Sequence, residues 1–365
     1  HFTGFGLCRA RRRTVMAIRC SFWVVLLYFF CPGPAAASPE DGRFGVVFYN
    51  VENLFDYRVD SLNPDREFTP DGLRRWNHGR MMDKLRGLQR VILQTGAWNP
   101  PALVGLCEVE NSRVLQLLLY ETGLANLHYR FVHFDSPDSR GMDVALLYRG
   151  DRFKVLHAEA IPVEMDEGER PTRDLLYVQG VVDACDTLHV VVAHWPSRYG
   201  GTAATHKKRE KAAHVTRMLV DQVMAKDMDA PLILMGDFNE PPESPLFSDV
   251  LGVGQPGSEV GLLSLADRLP PGSGSLKYRY TWQLFDQILI SAALVQEQTL
   301  LQVDLSTVRL FDFDFLLEKD LQYGGLKPLR SYRGMRYQGG FSDHLPVGLE
   351  LFCRPLNKDV LPQPF

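Results

Sequence analysis

Residues 231–240 read PLILMGDFNE, and the way this stretch ends decides how the rest of the chain is read. An apolar run that breaks into Gly-Asp-Phe-Asn has the pattern of a buried strand whose carboxyl end delivers polar groups into a cleft. Successive side chains of an extended chain face opposite ways, so Asp237 and Asn239 are expected on one face and Phe238 on the other. Pro241, Pro242 and Pro245 then stop the ladder, because proline lacks the backbone donor that a continuing strand needs. An Asx turn after an ordinary strand has the same local sequence. The other strand ends must decide.

Working outward, FGVVFYN at 44–50 predicts a first strand that stops at Asn50-Val51-Glu52-Asn53, and ALVGLC at 102–107 a second that stops at Glu108-Val109-Glu110-Asn111. The spacing of Met82, Leu85, Leu88 and Ile92 predicts a helix over 78–95, and another follows over 112–122. Between 129 and 194 the runs YRFVHF, DVALLYR, FKVLHA, LLYVQGVV and LHVVVAH predict an antiparallel stretch. The last run ends at His194-Trp195-Pro196-Ser197-Arg198. A helix at about 203–226 carries HKKREK, read as a solvated face. Downstream, the Gly/Pro/Ser-rich 252–275 reads as a surface loop, and FDQILIS at 285–291 as a strand with Asp286 near its start. The 305–340 region gives no clear pattern. Ser342-Asp343-His344 runs into LPVGLELF at 345–352, a final strand.

The chain has 365 residues, 45% hydrophobic and 23% charged, enough for one large core or two modest ones. Arg11, Arg12 and Arg13, the apolar SFWVVLLYFF at 21–30 and Ala35-Ala36-Ala37 have the order of a secretory signal peptide. The apolar run is too short to span a bilayer. The expectation is a leader of residues 1–37, a single domain over 38–365, and export to a periplasm or the outside. Removing 1–37 deletes five arginines and no acid, so the formal charge goes from −4 to −9. An acidic chain argues against a broad basic face for a long polyanion. Cys107, Cys185 and Cys353 remain, an odd number that excludes a full disulfide framework; Cys107 reads as a buried thiol.

Polar groups thus stand at strand ends near 50, 108, 194 and 237 and at strand starts near 286 and 343. Carboxylates and amides suit Mg²⁺, which keeps several waters and takes few protein oxygens, while histidines suit proton transfer. FYNVEN, LCEVEN, RGMDVALLYR, VVAHWPSR, ILMGDFNEPPES, FDQILIS and FSDHLPV, in this order over roughly 44–352, resemble the endonuclease/exonuclease/phosphatase superfamily with its DNase I-like nucleases.

The resemblance implies an α/β four-layer sandwich, two mixed, mostly antiparallel sheets face to face with helices outside and the site at one rim. It implies Glu108, Asp343 and Asn50 as the metal set, with Mg²⁺ as the ion and Mn²⁺ or Ca²⁺ as alternatives. Asp237 aligns or deprotonates water, Asn239 binds phosphate, and His194 and His344 sit at the scissile phosphate. Asp286 orients His344, and Asp143 is expected to do the same for His194. If their strands continued, Glu52 would share a face with Asn50 and Glu110 with Glu108; motif position selects the first of each pair. Arg140, Arg173 and Arg198 lie beside matched motifs and are candidate phosphate ligands. Trp195 and Trp282 are read as core packing. The expected activity is phosphoester hydrolysis by a monomer without stable membrane association once the leader is removed, on DNA, RNA or another diester. A phosphatase or diesterase for small or lipid-headgroup phosphoesters is the alternative, and a non-catalytic binding protein the reading from another class.

Overall fold

The inner faces of two sheets form the centre of the molecule. The computed structural model describes residues 42–58, 66–254, 261–296 and 299–354; the expected leader at 1–37 lies outside them. One sheet contains β1 (Arg43–Leu54), β2 (Leu103–Val109), β3 (Tyr129–His133), β4 (Asp143–Arg149), and two late strands, β12 (Leu301–Leu310) and β13 (Val347–Cys353), in the order β12-β13-β1-β2-β4-β3. The other contains β5 (Phe153–Ile161), β6 (Leu175–Val182), β7 (Asp186–His194), β8 (Leu232–Asp237), β9 (Val253–Gly254), β10 (Leu262–Ser264) and β11 (Asp286–Ser291), in the order β5-β6-β7-β8-β11-β10-β9. Among the described residues, only β1–β2, β7–β8 and β9–β10 pair in parallel. The sandwich is therefore mixed and mostly antiparallel, as the motifs imply.

Strand alternation explains the layers. In β1, Val46 and Phe48 face the second sheet while Val47 and Tyr49 face outward. In β8, Ile233 and Met235 face the first sheet while Leu232 and Leu234 face outward. Neither outer face can stay wet, since each fully buried Val, Leu or Ile contributes about 1.5–3 kcal/mol relative to exposure. Helices α1 (His78–Thr95) and α2 (Ser112–Glu121) cover the first sheet, with Met81, Leu85, Leu88, Val114 and Leu118 in one cluster with Val47 and Tyr49. Both begin at asparagine: the side chain of Asn77 accepts from the Arg80 N–H, and that of Asn111 from the Val114 N–H, the usual N-cap bond. Helix α3 (Thr202–Lys226) covers the second sheet through Ala212, Ala213, Leu219, Val220 and Val223.

Two regions differ from expectation. Part of the Gly/Pro/Ser-rich stretch forms β9 and β10 at a sheet edge, with Leu262 and Leu263 buried; composition hid two short strands. Within HKKREK, Arg209 is fully buried and its Nε lies 2.5 Å from Glu240 Oε1. This one position of the run faces inward, toward the turn after β8. Cys185, in the turn before β7, is joined to Cys353 at the end of β13. The bridge ties the two sheets together at the end opposite Asp237, and Cys107 is left as the buried free thiol among the described residues.

Candidate functional site

Four strands place their last or first inward-facing residue at one rim, and each of those residues is polar. Val190 and Val192 are followed by His194, Ile233 and Met235 by Asp237, and Val46 and Phe48 by Asn50; Asp286 precedes Ile288 and Ile290. Register puts His194 opposite Asp237 across the parallel β7–β8 pair, and Asp286 opposite Asp237 across the antiparallel β8–β11 pair. A row of histidine, aspartate and aspartate thus crosses the second sheet, facing Asn50 of the first.

Asp237 is the hub. Its Oδ2 accepts from Asn50 Nδ2 at 3.0 Å and lies 3.7 Å from His194 Nε2 and 3.9 Å from His344 Nε2. Its Oδ1 accepts from the Asn239 backbone N–H at 3.0 Å. The strand does not continue through Asn239: that residue has φ 52° and its Nδ2 donates to the Trp195 carbonyl at 3.0 Å. Phe238 is fully buried against Trp195 and Phe247. Trp195 is core, as expected. The GDFN stretch is therefore both an Asx turn and part of the site, with the turn bringing the amide back beside the carboxylate. Burial, then the neighbouring Asp286, push the Asp237 carboxyl up to about 6.

His344 Nδ1 donates to Asp286 Oδ2 at 2.6 Å, with both groups buried. Burial opposes a charge on this ring, but Asp286, Asp237 and Asp343 outweigh it and hold its pKa well above the ordinary value. The ring is thereby biased toward the imidazolium. The chain is irregular at this point, for β13 begins only at Val347, which lets the adjacent Asp343 and His344 both reach the rim. Ser342 Oγ assists by donating to the Asn50 carbonyl while accepting from the His344 N–H.

His194 has the opposite character. Arg173 Nη2 lies 3.5 Å from its Nε2, and a guanidinium can only donate, so this contact favours a ring that accepts at Nε2. Burial, then Arg173 and Arg140, depress its pKa well below the ordinary value. The expected partner is elsewhere: Asp143 accepts from Ser136 and lies 3.1 Å from His133 Nε2, while His194 Nδ1 has no hydrogen-bond partner among the described residues. Asp143 opens β4, and its reach is to the neighbouring strand β3. The assignment of Asp143 to His194 is thus corrected; the side chain beside His194 Nε2 is that of Arg173.

The other arginines separate by partner. Arg140 is half-exposed and bonds Asp138 through its backbone N–H. Arg198 is bound to the Asn239 carbonyl and to Glu240, each at 2.7 Å. It braces the turn rather than facing the rim freely.

At the acidic end, a register shift in β2 puts Glu108 at φ 64°. Its Oε2 accepts from the Asn53 N–H at 2.8 Å, and its Oε1 lies 3.4 Å from Asn50 Nδ2. Glu110 turns away and accepts from the Asp56 N–H. Glu52, at φ 47°, stays at the site: its carboxylate accepts from Ser331 N–H at 2.7 Å and Arg330 Nε at 3.1 Å. Arg330 Nη2 reaches Asp343 Oδ2 at 2.7 Å. Sequence reasoning set Glu52 aside and had no signal for Arg330 or Lys84. The buried Lys84 Nζ donates to Glu52 O, Ser331 Oγ and Phe341 O, and burial lowers its pKa to about 8 against the pull of Glu52, Asp343 and Glu108.

The donor set fits a divalent cation. Glu108 makes no ion pair with a cationic side chain among the described residues, and its Oε1 has only the long contact to Asn50. A hard ion that prefers oxygen suits a partly open carboxylate of this kind. Ligand atoms of Asp237, Asp286 and His344, and of Cys107, His194 and Asp237, also gather within 4.8 Å of one another.

Sandwich and rim together define a metal-dependent phosphoric ester hydrolase with the DNase I-like architecture. Residues 45–352 match the Endonuclease/Exonuclease/phosphatase family, to which the chain belongs. No curated protein matches the sequence. Among solved structures, a humanized D. rerio TDP2 is similar with 18% identity and a TM-score of 0.53, over 85% of this chain and 99% of that one. A Bacteroides thetaiotaomicron endonuclease/exonuclease/phosphatase family protein has 15% identity and a TM-score of 0.52, over 86% and 98%. The human nocturnin catalytic domain has 16% identity and a TM-score of 0.51, over 86% and 95%. At these identities the likeness carries the fold.

Proposed function

We propose that the chain is an exported, Mg²⁺-dependent hydrolase of phosphodiesters, a nuclease or related phosphodiesterase. The observation that carries the reading is the arrangement around one hub: a buried Asp237 with His344, held by Asp286, on one side and His194, beside Arg173, on the other. With a carboxyl group pushed up to about 6, Asp237 is ionised at neutral pH yet basic enough to accept a proton from water. The water oxygen attacks phosphorus, the proton passes to Asp237, and the P–O bond to the leaving group breaks. His344 donates to the oxygens that gain charge, and Asp286 keeps that ring oriented. Arg173 and Arg140 add positive potential near His194. A divalent ion held by Glu108, when bound, supplies further electrostatic stabilisation of the transition state.

A D. rerio TDP2 structure holds a single strand DNA product, which supports a nucleic-acid diester as substrate. Export is supported by the leader pattern and by the Cys185–Cys353 disulfide, since such bonds persist in oxidising compartments. A second reading, a small or lipid-headgroup phosphoester, is favoured by the charge of −9 left after removal of 1–37 from a chain of −4 with five arginines in that segment. Purified 38–365 with Mg²⁺, offered plasmid DNA, RNA, bis-p-nitrophenyl phosphate and p-nitrophenyl phosphate, tests the choice. Diester cleavage supports the proposal. Cleavage of the monoester alone would favour a phosphatase, and inactivity with ligand binding retained would favour a binding protein.

A further inference from the structure

The geometry points to Arg330 as a built-in cation between Glu52 and Asp343, which limits this site to one divalent ion, held at the Asn50–Glu108 end. The inference rests on the metal-dependent reading above and concerns how many ions the rim accepts. Arg330 uses two separate donors, Nε to Glu52 Oε1 at 3.1 Å and Nη2 to Asp343 Oδ2 at 2.7 Å. A guanidinium presents donors in a rigid fork, so one side chain spans the two carboxylates that a second cation would otherwise share.

The arginine is carried on a fixed backbone. Ser331 N–H donates to Glu52 Oε2 at 2.7 Å, and Phe341 N–H donates to the Leu329 carbonyl at 2.7 Å. Gly340 lies so close that an added Cβ would stand 2.1 Å from the Leu329 carbonyl oxygen and 2.5 Å from that of Arg330. Lys84 then pins three pieces at once, the Glu52 carbonyl, Ser331 and the Phe341 carbonyl. Glu52 and Asp343 thus share the guanidinium of Arg330, while Lys84 braces the backbone around them without touching either carboxylate.

Glu108 differs. Its hydrogen bonds come from a backbone N–H and an amide, neither of which neutralises it. A divalent ion gains most where a carboxylate is uncompensated, and least where it must displace a bidentate arginine from a partly buried pair. Asp343, which the family resemblance assigns to the metal, is on this account a ligand of Arg330 first. Its effect on the metal is to hold the guanidinium in place.

The test is Mn²⁺ stoichiometry, read by electron paramagnetic resonance and by equilibrium dialysis with elemental analysis, on the purified chain. Wild type is expected to bind one Mn²⁺, lost in Glu108→Gln. Arg330→Met and Arg330→Gln are each expected to bind two, and the double variant Arg330→Met/Asp343→Asn to return to one. Thermal unfolding of each variant confirms that the comparison is between folded chains, and the wild-type count stands by itself. Two ions on wild type, or one ion on both folded Arg330 variants, would overturn this inference and leave the hydrolase reading intact. No ion on wild type would overturn the metal-dependent reading and this inference with it.

Discussion

Replacing Asp286 by Asn removes one charge and keeps the shape. The carboxylate is fully buried and accepts from His344 Nδ1 at 2.6 Å. Two unit charges about 4 Å apart at an effective dielectric of 20 interact by about 4 kcal/mol, which corresponds to about 3 pKa units. Losing that interaction lets burial, the largest influence on His344 and one that lowers its pKa, dominate the ring. Asp286→Asn should therefore lower the His344 pKa by about 3 units. The fall is read directly by ¹H–¹⁵N correlation spectra of the histidine rings across a pH titration. With the imidazolium disfavoured, kcat on bis-p-nitrophenyl phosphate should fall by about 10²–10⁴, while KM changes little. Activity should also partly recover at acidic pH, where the ring charges again. A purely structural role for Asp286 would lower stability without moving the ring titration. An unchanged His344 pKa in a folded, inactive variant would refute the reasoning.

Other perturbations follow from the same contacts. Asp143→Asn should reduce kcat/KM by less than about tenfold, because Asp143 serves His133 and not His194; a loss on the scale of Asp286→Asn would restore the sequence-based assignment. Arg209→Ala leaves Glu240 buried beside one remaining arginine, Arg198. It should destabilise the fold by about 3–5 kcal/mol, measured by urea unfolding. Cys353→Ser opens a link between residues 168 apart in sequence and should lower stability by about 2–5 kcal/mol. Reductant should produce the same loss in wild type and no further loss in the variant.

The parts of this account that were legible in the sequence share a cause. Wherever a strand alternates and then breaks its pattern with a polar residue on the inner face, both the layer and the site can be read at once, as at Asn50, His194, Asp237 and Asp286. Local chain reversals were less legible. Glu52, Glu108 and Asn239 all sit at positive φ, a conformation that costs most residues energy and that no run of residue types announces. The reversals separate Glu52 from Asn50 and Glu108 from Glu110, which simple alternation would have paired. Partners supplied from distant sequence were not legible at all. Arg330 comes from a stretch of short hairpins at Leu317–Lys319, Leu326–Pro328, Tyr332–Arg333 and Arg336–Tyr337, too short for periodicity to register. Asp143 was misassigned because proximity in motif order says nothing about which of two neighbouring histidines a side chain reaches. Arg209 looked like one more charge on a wet helix face, and only the turn at Glu240 reveals why that one position is dry.

The central claim is that Asp237 and its flanking groups hydrolyse a phosphodiester with a divalent ion held at Glu108. The most direct measurement is turnover of bis-p-nitrophenyl phosphate by purified 38–365, before and after chelation and re-addition of Mg²⁺, in wild type, Glu108→Gln and Asp237→Asn. The account predicts activity that disappears with chelation, returns with Mg²⁺, and is lost by at least about 10² in each variant while both remain folded. Metal-independent turnover, or wild-type rates in folded Asp237→Asn, would contradict it.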